Sequence, residues 1–309
     1  MGKIVVAGSL NMDLSVRVAH IPAVGETILG GDLLESPGGK GANQAYAAAK
    51  LSSNGGVLML GCVGQDEFGR AMLRNLSRAG CDVSHVSTVP GPSGVALIVV
   101  SAEGDNAIVV APGANALFIP DMARSLAPVL AGADTLLLQL EIPLDTVQTL
   151  AETARAHGVR VILDPAPAPL AGLPRELLKL VDILTPNETE AAALTGSTDK
   201  QITPEVATRM AEQLVAQGSA AAVVKLGARG CLIHRHGQST FVPAPKVDAI
   251  DTTAAGDVFN GALAVALSES LELPEACQFA TRAAALSVTR KGAQLSAPSR
   301  DEVQAFSPE

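Results

Sequence analysis

Five short apolar runs without polar alternation, Ile4 to Ala7, Thr135 to Leu140, Val159 to Leu163, Asp182 to Leu184 and Ala221 to Leu226, limit what this chain can become. A strand with one wet face alternates; a strand that does not is covered on both faces, the habit of parallel sheets. Between the runs lie helix-period segments. Asp66 to Ala79 puts Phe68, Met72, Leu73 and Leu76 on one side and stops at Gly80, Leu144 to His157 stops at Gly158, and Pro204 to Gln217 stops at Gly218. Glycine just past the last turn ends a helix because it enters the left-handed conformation without strain. Strand, helix, glycine and strand in succession predict βαβ units and an α/β fold around a mostly parallel central sheet. No repeat, low-complexity tract or Pro/Ser linker divides the 309 residues, so a single domain over 1–309 is expected.

Two stretches break this rhythm. Val95 to Val100 and Ala107 to Ala111 flank Glu103-Gly104-Asp105-Asn106 and read as an antiparallel hairpin. Asp13 to Leu34 carries Val16, Val18 and Ile21 two or three apart, punctuated by Gly25, Gly30 and Gly31, and reads as irregular strands. Residues of about 13–36 and 93–112 are therefore expected to form a small inserted sheet, serving either as a lid over a site or as ordinary edge hairpins.

A net charge of −9, no tryptophan and a single tyrosine, Tyr46, argue against nucleic acid and membrane as partners. No uninterrupted apolar stretch approaches about 18 residues and the first residues do not read as a signal peptide, so a cytoplasmic location is expected. Cys62, Cys81, Cys231 and Cys277 show no C-x-x-C spacing and are expected to be free, buried thiols.

The segment Asp251-Thr252-Thr253-Ala254-Ala255-Gly256-Asp257 runs into an Ala-rich apolar helix pattern. The amides of Ala254, Ala255, Gly256 and Asp257 would stand unpaired at its start, where they hold an anion without any side-chain charge. Asp257 is then either a general base toward a hydroxyl or a simple helix cap. A second cluster, Gly38-Gly39-Lys40-Gly41-Ala42-Asn43-Gln44, precedes a helical segment expected from Ala45 to Lys50 and lacks the spacing of a Walker A loop. It is either a backbone that comes close to a ligand, with Lys40 and Asn43 offered to hydroxyls, or a tight turn. Asn11-Met12-Asp13 follows the first strand, and strand ends are where α/β proteins place ligands. His234 and His236, on a hairpin flank without a third ligand, are expected to be solvated rather than a metal pair.

Three motifs in this order, Gly39-Lys40-Gly41-Ala42-Asn43, Thr185-Pro186-Asn187-Glu188-Thr189-Glu190 and Asp251 to Asp257, resemble those of the ribokinase-type (PfkB) sugar kinases, and the resemblance spans essentially the whole chain. It implies an αβα sandwich with a small β-sheet lid that often pairs with a second subunit, hence a homodimer. It also implies ATP, Mg2+ and K+, and transfer of a phosphoryl group from ATP to the C5 hydroxyl of D-ribose. By the same resemblance Asn11, Met12, Asp13, Gly39, Lys40, Gly41, Ala42, Asn43 and Glu141 surround the sugar. Asp257 takes the hydroxyl proton, and the amides of Ala254 to Asp257 stabilise the transferred group. Asn187, Lys225, Leu226, Gly227, Ala228, Arg229, Gly230 and Thr281 would contact the nucleotide, together with Gly256 and Asp257, and Glu190 would orient Mg2+ through water. Asp251, Thr253, Ser287, Arg290, Gly292 and Ser296 resemble the family's monovalent-cation site. Asn187 and Glu190 also have the spacing of a helix capping box. The chain departs from the family at Lys225, where a hydroxyl residue is common, and at Thr281, where a larger polar group is usual.

The acceptor stays open at this level among D-ribose, 2-deoxyribose, another sugar of the fructose type and a nucleoside. Asp13 is the discriminating position, because a site built to satisfy a hydroxyl penalises an analogue lacking it, and Met12 beside it bears on the same choice. A sugar or nucleotide sensor that kept the fold and lost the chemistry is the alternative of another class. A dinucleotide oxidoreductase fails, since Gly8-Ser9-Leu10 is followed by no second glycine at the G-x-G-x-x-G spacing.

Overall fold

The computed structural model describes residues 2–53 and 55–306. Thirteen strands are present among them: β1 (Ile4–Ala7), β2 (Asn11–Arg17), β3 (Leu33–Gly38), β4 (Val57–Gly64), β5 (Val86–Val89), β6 (Gly94–Val100), β7 (Asn106–Ala111), β8 (Thr135–Leu138), β9 (Arg160–Leu163), β10 (Ile183–Leu184), β11 (Ala221–Lys225), β12 (Gly230–Arg235) and β13 (Gln238–Pro243). They form a nine-stranded sheet in the order β13-β12-β11-β10-β9-β8-β1-β4-β5 and a four-stranded sheet in the order β3-β2-β6-β7. The large sheet is parallel from β5 to β11 and ends in the antiparallel pair β12 and β13.

The lack of alternation has the expected cause. On β1, Ile4 and Val6 enter one apolar core while Val5 and Ala7 enter a second on the opposite face. The same split sends Leu137 and Ile162 to the first core and Leu136, Leu138, Val161 and Leu163 to the second. Helices Lys40–Leu51, Glu67–Arg78, Ala255–Ser268 and Leu273–Ser287 supply the first core, and Leu144–Ala156 and Pro204–Gln217 the second. The result is an αβα sandwich. Asp66 caps Glu67–Arg78 by accepting from the Gly69 amide, and Gly80, Gly158 and Gly218 follow their helices at positive φ. All four cysteines are free and buried.

The hairpin is β6 and β7, paired antiparallel, and β2 joins it in parallel to make the separate small sheet. Two local expectations differ from the structure. The helix after the glycine cluster begins at Lys40 rather than Ala45, so Gly41 to Gln44 are helical and only Gly39, at φ 87, lies in the turn. His234 is buried, its Nδ1 2.8 Å from Ser239 Oγ across the β12–β13 turn, whereas His236 is the exposed turn residue.

Candidate active site

Polar residues gather where the parallel strands end. Ser9 and Asn11 follow β1, Gln139 and Glu141 follow β8, Asp164 follows β9, Asn187 follows β10, and Lys225 is the last residue of β11. The N-termini of helices Lys40–Leu51 and Ala255–Ser268 point into the same space, the customary ligand position of an open α/β sheet.

On one side, Glu141 Oε2 accepts from Ser9 Oγ at 2.6 Å and from the Lys40 amide at 3.2 Å, and Asn11 Nδ2 lies 3.5 Å away. Asn115 Nδ2 donates to Asn11 Oδ1 at 2.7 Å and fixes its orientation. Asp13, two residues on along β2, shares the Asn11 face, and among the described residues its carboxyl takes no hydrogen bond, so its side-chain oxygens are open to accept. Burial, with Glu141 and Asp257 nearby, pushes its pKa up to about 7.

Asp257 sits in the first turn of helix Ala255–Ser268, 6% exposed. Asn43 Nδ2 donates to its Oδ2 and Gln44 Nε2 to its Oδ1, each at 3.0 Å. Those two amides are held from behind, Asn43 Oδ1 by Gln294 Nε2 at 3.1 Å and Gln44 Oε1 by Gln139 Nε2 at 2.6 Å. Burial raises the Asp257 pKa to about 6 against the opposing pull of the Lys40 ammonium. Burial works against that ammonium, but Asp257, Asp164, Glu141 and Glu190 outweigh it and hold Lys40 above the ordinary lysine value. A buried carboxylate poised near neutrality, oriented by two donors, can take a proton from a hydroxyl.

Ala254 has φ 57, the left-handed conformation, and turns the chain into the helix. The Ala255 amide bonds Thr252 O and the Val258 amide bonds Ala254 O, which leaves the Gly256 and Asp257 amides with no intrahelical acceptor. They face a cavity of about 380 Å³ whose wall also holds Lys40, Asp164, Asn187, Glu190 and Lys225. A neighbouring cavity of about 480 Å³ shares Lys225, Gly227, Thr252, Ala255 and Gly256 with it and is otherwise largely apolar, with Ala228, Val247, Phe259, Thr281 and Val288 among its walls.

Several residues expected at the site do other work. Met12 lies on the opposite face of β2 from Asn11 and Asp13 and packs in the first core with Ala42, and Leu226 is buried in the second. Arg229 is drawn off by Glu188 and the Ile202 carbonyl, and Arg290 pairs with Glu302 at 2.7 Å. Asn187 and Glu190 do form the capping box: Asn187 Oδ1 accepts from the Glu190 amide and Glu190 Oε2 from the Asn187 amide, both at 2.8 Å. Burial and Asp164 still raise the Glu190 pKa, and its carboxyl lines the cavity. Asp251 Oδ1 accepts from the Thr253 amide and hydroxyl and its Oδ2 from the Gly292 amide, tying the two loops together. The Ser287 and Ser296 hydroxyls donate to Ala284 O and Ala293 O within their own turns.

Ser9, Gln44, Asn115, Gln139, Asp164 and Gln294 belong to the site and were not anticipated from the sequence. Gln139 and Asp164 carried a usable signal, since Gln139 is the polar residue near the end of one apolar run and Asp164 directly follows another, and each follows the end of its strand.

The ribokinase of Haemophilus influenzae is 42% identical to this chain over 302 residues, covering 97% of each. The deoxyribokinase of Salmonella typhi is 39% identical over 304 residues, covering 98% of each. Among solved structures, that of the Arabidopsis thaliana ribokinase complexed with ribose and ATP superposes with a TM-score of 0.90 at 34% identity, covering 99% of both chains. The model of the pfkB family carbohydrate kinases matches residues 1–300. With that match, and relatives alike over nearly their whole length, the chain belongs to the pfkB family of carbohydrate kinases.

Proposed function

We propose that this chain transfers the γ-phosphoryl group of ATP to the C5 hydroxyl of D-ribose, giving D-ribose 5-phosphate and ADP. The observation that carries this reading is Asp257: a buried carboxylate gripped by Asn43 and Gln44 beside unpaired amides of the same helix turn. The sugar would lie between Asp13, Asn11, Lys40 and Glu141, whose oxygens and donors suit adjacent hydroxyls, and the adenine in the apolar cavity walled by Phe259 and Thr281. Asp257 accepts the hydroxyl proton as the sugar oxygen bonds to phosphorus, and the bond from phosphorus to the β-phosphate oxygen breaks. The Gly256 and Asp257 amides take the charge that gathers on the transferred group. The chain acts by positioning and by electrostatics.

The donors fit the family's cations. Among the described residues no three His, Cys, Asp or Glu side chains cluster as a metal centre. Glu190, whose carboxyl lines the same cavity as Asn187, would hold a Mg2+ through water, and the ion would supply positive charge to offset that of the nucleotide phosphates. Asp251, bonded to Thr253 and to the Gly292 amide, would with main-chain oxygens of Thr253, Ser287, Arg290, Gly292 and Ser296 hold K+, which would stiffen the loop before the helix. The four-stranded sheet, about 13–36 and 93–112, would act as the lid of a single domain and as the contact of a homodimer, in a protein of the cytoplasm.

A second reading has its own support: a deoxyribokinase is nearly as similar as a ribokinase, so 2-deoxyribose is the competing acceptor. Coupled ADP release on ribose, 2-deoxyribose, fructose, adenosine and no sugar, with and without potassium, separates the two. Ribose-dependent turnover that drops at least about 10²-fold in Asp257→Asn is expected. A preference for 2-deoxyribose would reassign the acceptor, and silence on every sugar would refute the kinase reading.

A further inference from the structure

The Gln44 side chain has every hydrogen and its oxygen engaged. Its Oε1 accepts from Gln139 Nε2 at 2.6 Å, while its Nε2 donates to Asp257 Oδ1 at 3.0 Å and to Asp164 Oδ2 at 2.9 Å. Turned over, the amide would set its oxygen between two carboxylates and its nitrogen against the nitrogen of Gln139, so only the observed orientation is allowed. Asp164 directly follows β9, is 2% exposed, and has its other oxygen, Oδ1, taken by Lys225 Nζ at 2.9 Å. Lys225, Asp164, Gln44 and Asp257 thus form one chain of hydrogen bonds that ends on the carboxyl of the base.

A buried ion pair is weak evidence for stability, since its desolvation cost can exceed its attraction. The position of Asp164 points to another use. Two carboxylates that accept from one nitrogen stand close together, and each disfavours the charge of the other. The charged groups around Asp257 and the Lys40 ammonium are Asp13 on β2, Glu141 beyond β8, Asp164 beyond β9, Glu190 on helix Glu188–Thr195 and Lys225 at the end of β11. Of the charges, Lys40 and Asp164 act on Asp257 most strongly and in opposite senses, the ammonium favouring the carboxylate form and Asp164 disfavouring it. Lys225 supplies the partner that a carboxylate as buried as Asp164 requires.

Resting on the kinase reading above, we propose that Asp164 is a positioning residue for the base: through the Gln44 amide it aims the donor that holds Asp257, and by its charge it keeps Asp257 a strong acceptor for the proton of a sugar hydroxyl. The proton passes from the hydroxyl to Asp257 and goes no further along the chain, since the Gln44 amide has no proton to exchange in this step. Asp164 therefore acts on the reaction only through Gln44 and through space.

Two variants separate charge from aim. In Asp164→Asn the new amide must turn its NH2 toward either Lys225 Nζ or Gln44 Nε2, both donors, so charge and aim are lost together. In Asp164→Asn/Lys225→Met the new oxygen can still accept from Gln44, no buried charge is left unpaired, and the protein should melt near the wild type. Asp257 is followed in the unliganded protein by carbon-13 NMR of labelled aspartate carboxyls, its signal identified by its loss in Asp257→Asn. Alongside, kcat and kcat/KM for ribose are measured against pH at saturating ATP. In both variants the Asp257 midpoint is expected to fall by roughly one pH unit. The acidic limb of kcat/KM should move with it, and kcat above the limb should drop about tenfold in the single variant, with the ribose KM changed less than about threefold. The double variant is read by its midpoint, since Lys225 also lines both cavities. A midpoint that stays at the wild-type value in the double variant would overturn the proposal, however slow either variant became, because a merely structural residue slows turnover without moving it. A wild type that phosphorylates no sugar refutes the kinase reading, while the Asp257 midpoints still decide whether Asp164 acts on that carboxyl.

Discussion

Asp257 accepts two amide hydrogen bonds, yet its pKa rises to about 6 because burial outweighs the help of Lys40, Asn43 and Gln44. Proton abstraction needs the carboxylate form, so turnover limited by chemistry is expected to decline about tenfold per pH unit below that value and to level off above it. A pH profile of kcat/KM without an acidic limb would contradict the assignment of Asp257 as base. Asp13 is the sharper trade. Its folded pKa, raised to about 7 by burial and by Glu141 and Asp257, exceeds the value of 3.8 expected of an unfolded aspartate. The folded state therefore holds a proton that the unfolded chain has released, and stability falls as pH rises from about 4 to 7 and stays reduced above. Asp13→Asn removes that penalty. At pH 8 it is expected to melt higher, the gain in unfolding free energy being on the order of 1–3 kcal/mol, while raising the ribose KM at least about tenfold. A variant that melts lower than the wild type at pH 8 would show that Asp13 has a partner in the fold after all.

The helix Lys40–Leu51 shows what an element can impose on a site. A Cβ on Gly41 would lie 2.6 Å from the Gly8 carbonyl carbon and the Ser9 amide, so the helix start is pressed onto the turn leading into β2. Gly41→Ala is expected to push the two apart at a cost of about 1–3 kcal/mol and to lower sugar turnover about tenfold or more, through displaced Ser9, Asn11, Lys40 and Asn43. Thermal melting together with the ribose KM checks this, and wild-type values for both would rule out a close contact. In the sequence, these glycines read as turn formers, which is why the helix was expected only from Ala45. A glycine required by a neighbouring backbone and a glycine required by its own φ look alike until the neighbour is placed. The strands themselves were legible because burial on two faces erases alternation, a property of each run alone. The link from Lys225 to Asp164 to Gln44 to Asp257 was not, since its members lie 61, 120 and 213 residues apart. His234 was misjudged for the same reason, its burial being set by the sheet and by Ser239. Met12 was grouped with Asn11 and Asp13 by adjacency, and the strand pleat turned it to the other side.

At the scale of the molecule, the small sheet raises a question of surface. By register, Asp13 lies opposite Ser36 and Ala96, Ala96 opposite Val110, Ser15 opposite Leu34 and Ile98, and Ile98 opposite Ile108. Residues in register share a face, so Leu34, Ile98, Ile108 and Val110 continue the face that bears Asn11 and Asp13. Leu34 is 59% exposed and Ile108 53%, and β7 is exposed along its whole length. An apolar face with two open edges is a surface that proteins normally cover. A second copy placed there would hide these side chains and close the sugar side of the site in one step, which ties oligomeric state to turnover. Sedimentation of the wild type is expected to give a dimer, and Ile108→Lys a monomer at concentrations of about 1–10 μM with a raised sugar KM. Because Ile108 already faces solvent, its replacement should leave the melting of the monomer unchanged within roughly 0.5 kcal/mol. A wild type that sediments as a monomer throughout would leave the sheet to act as a lid alone. The exposed row would then have to be buried by closure over the chain's own site.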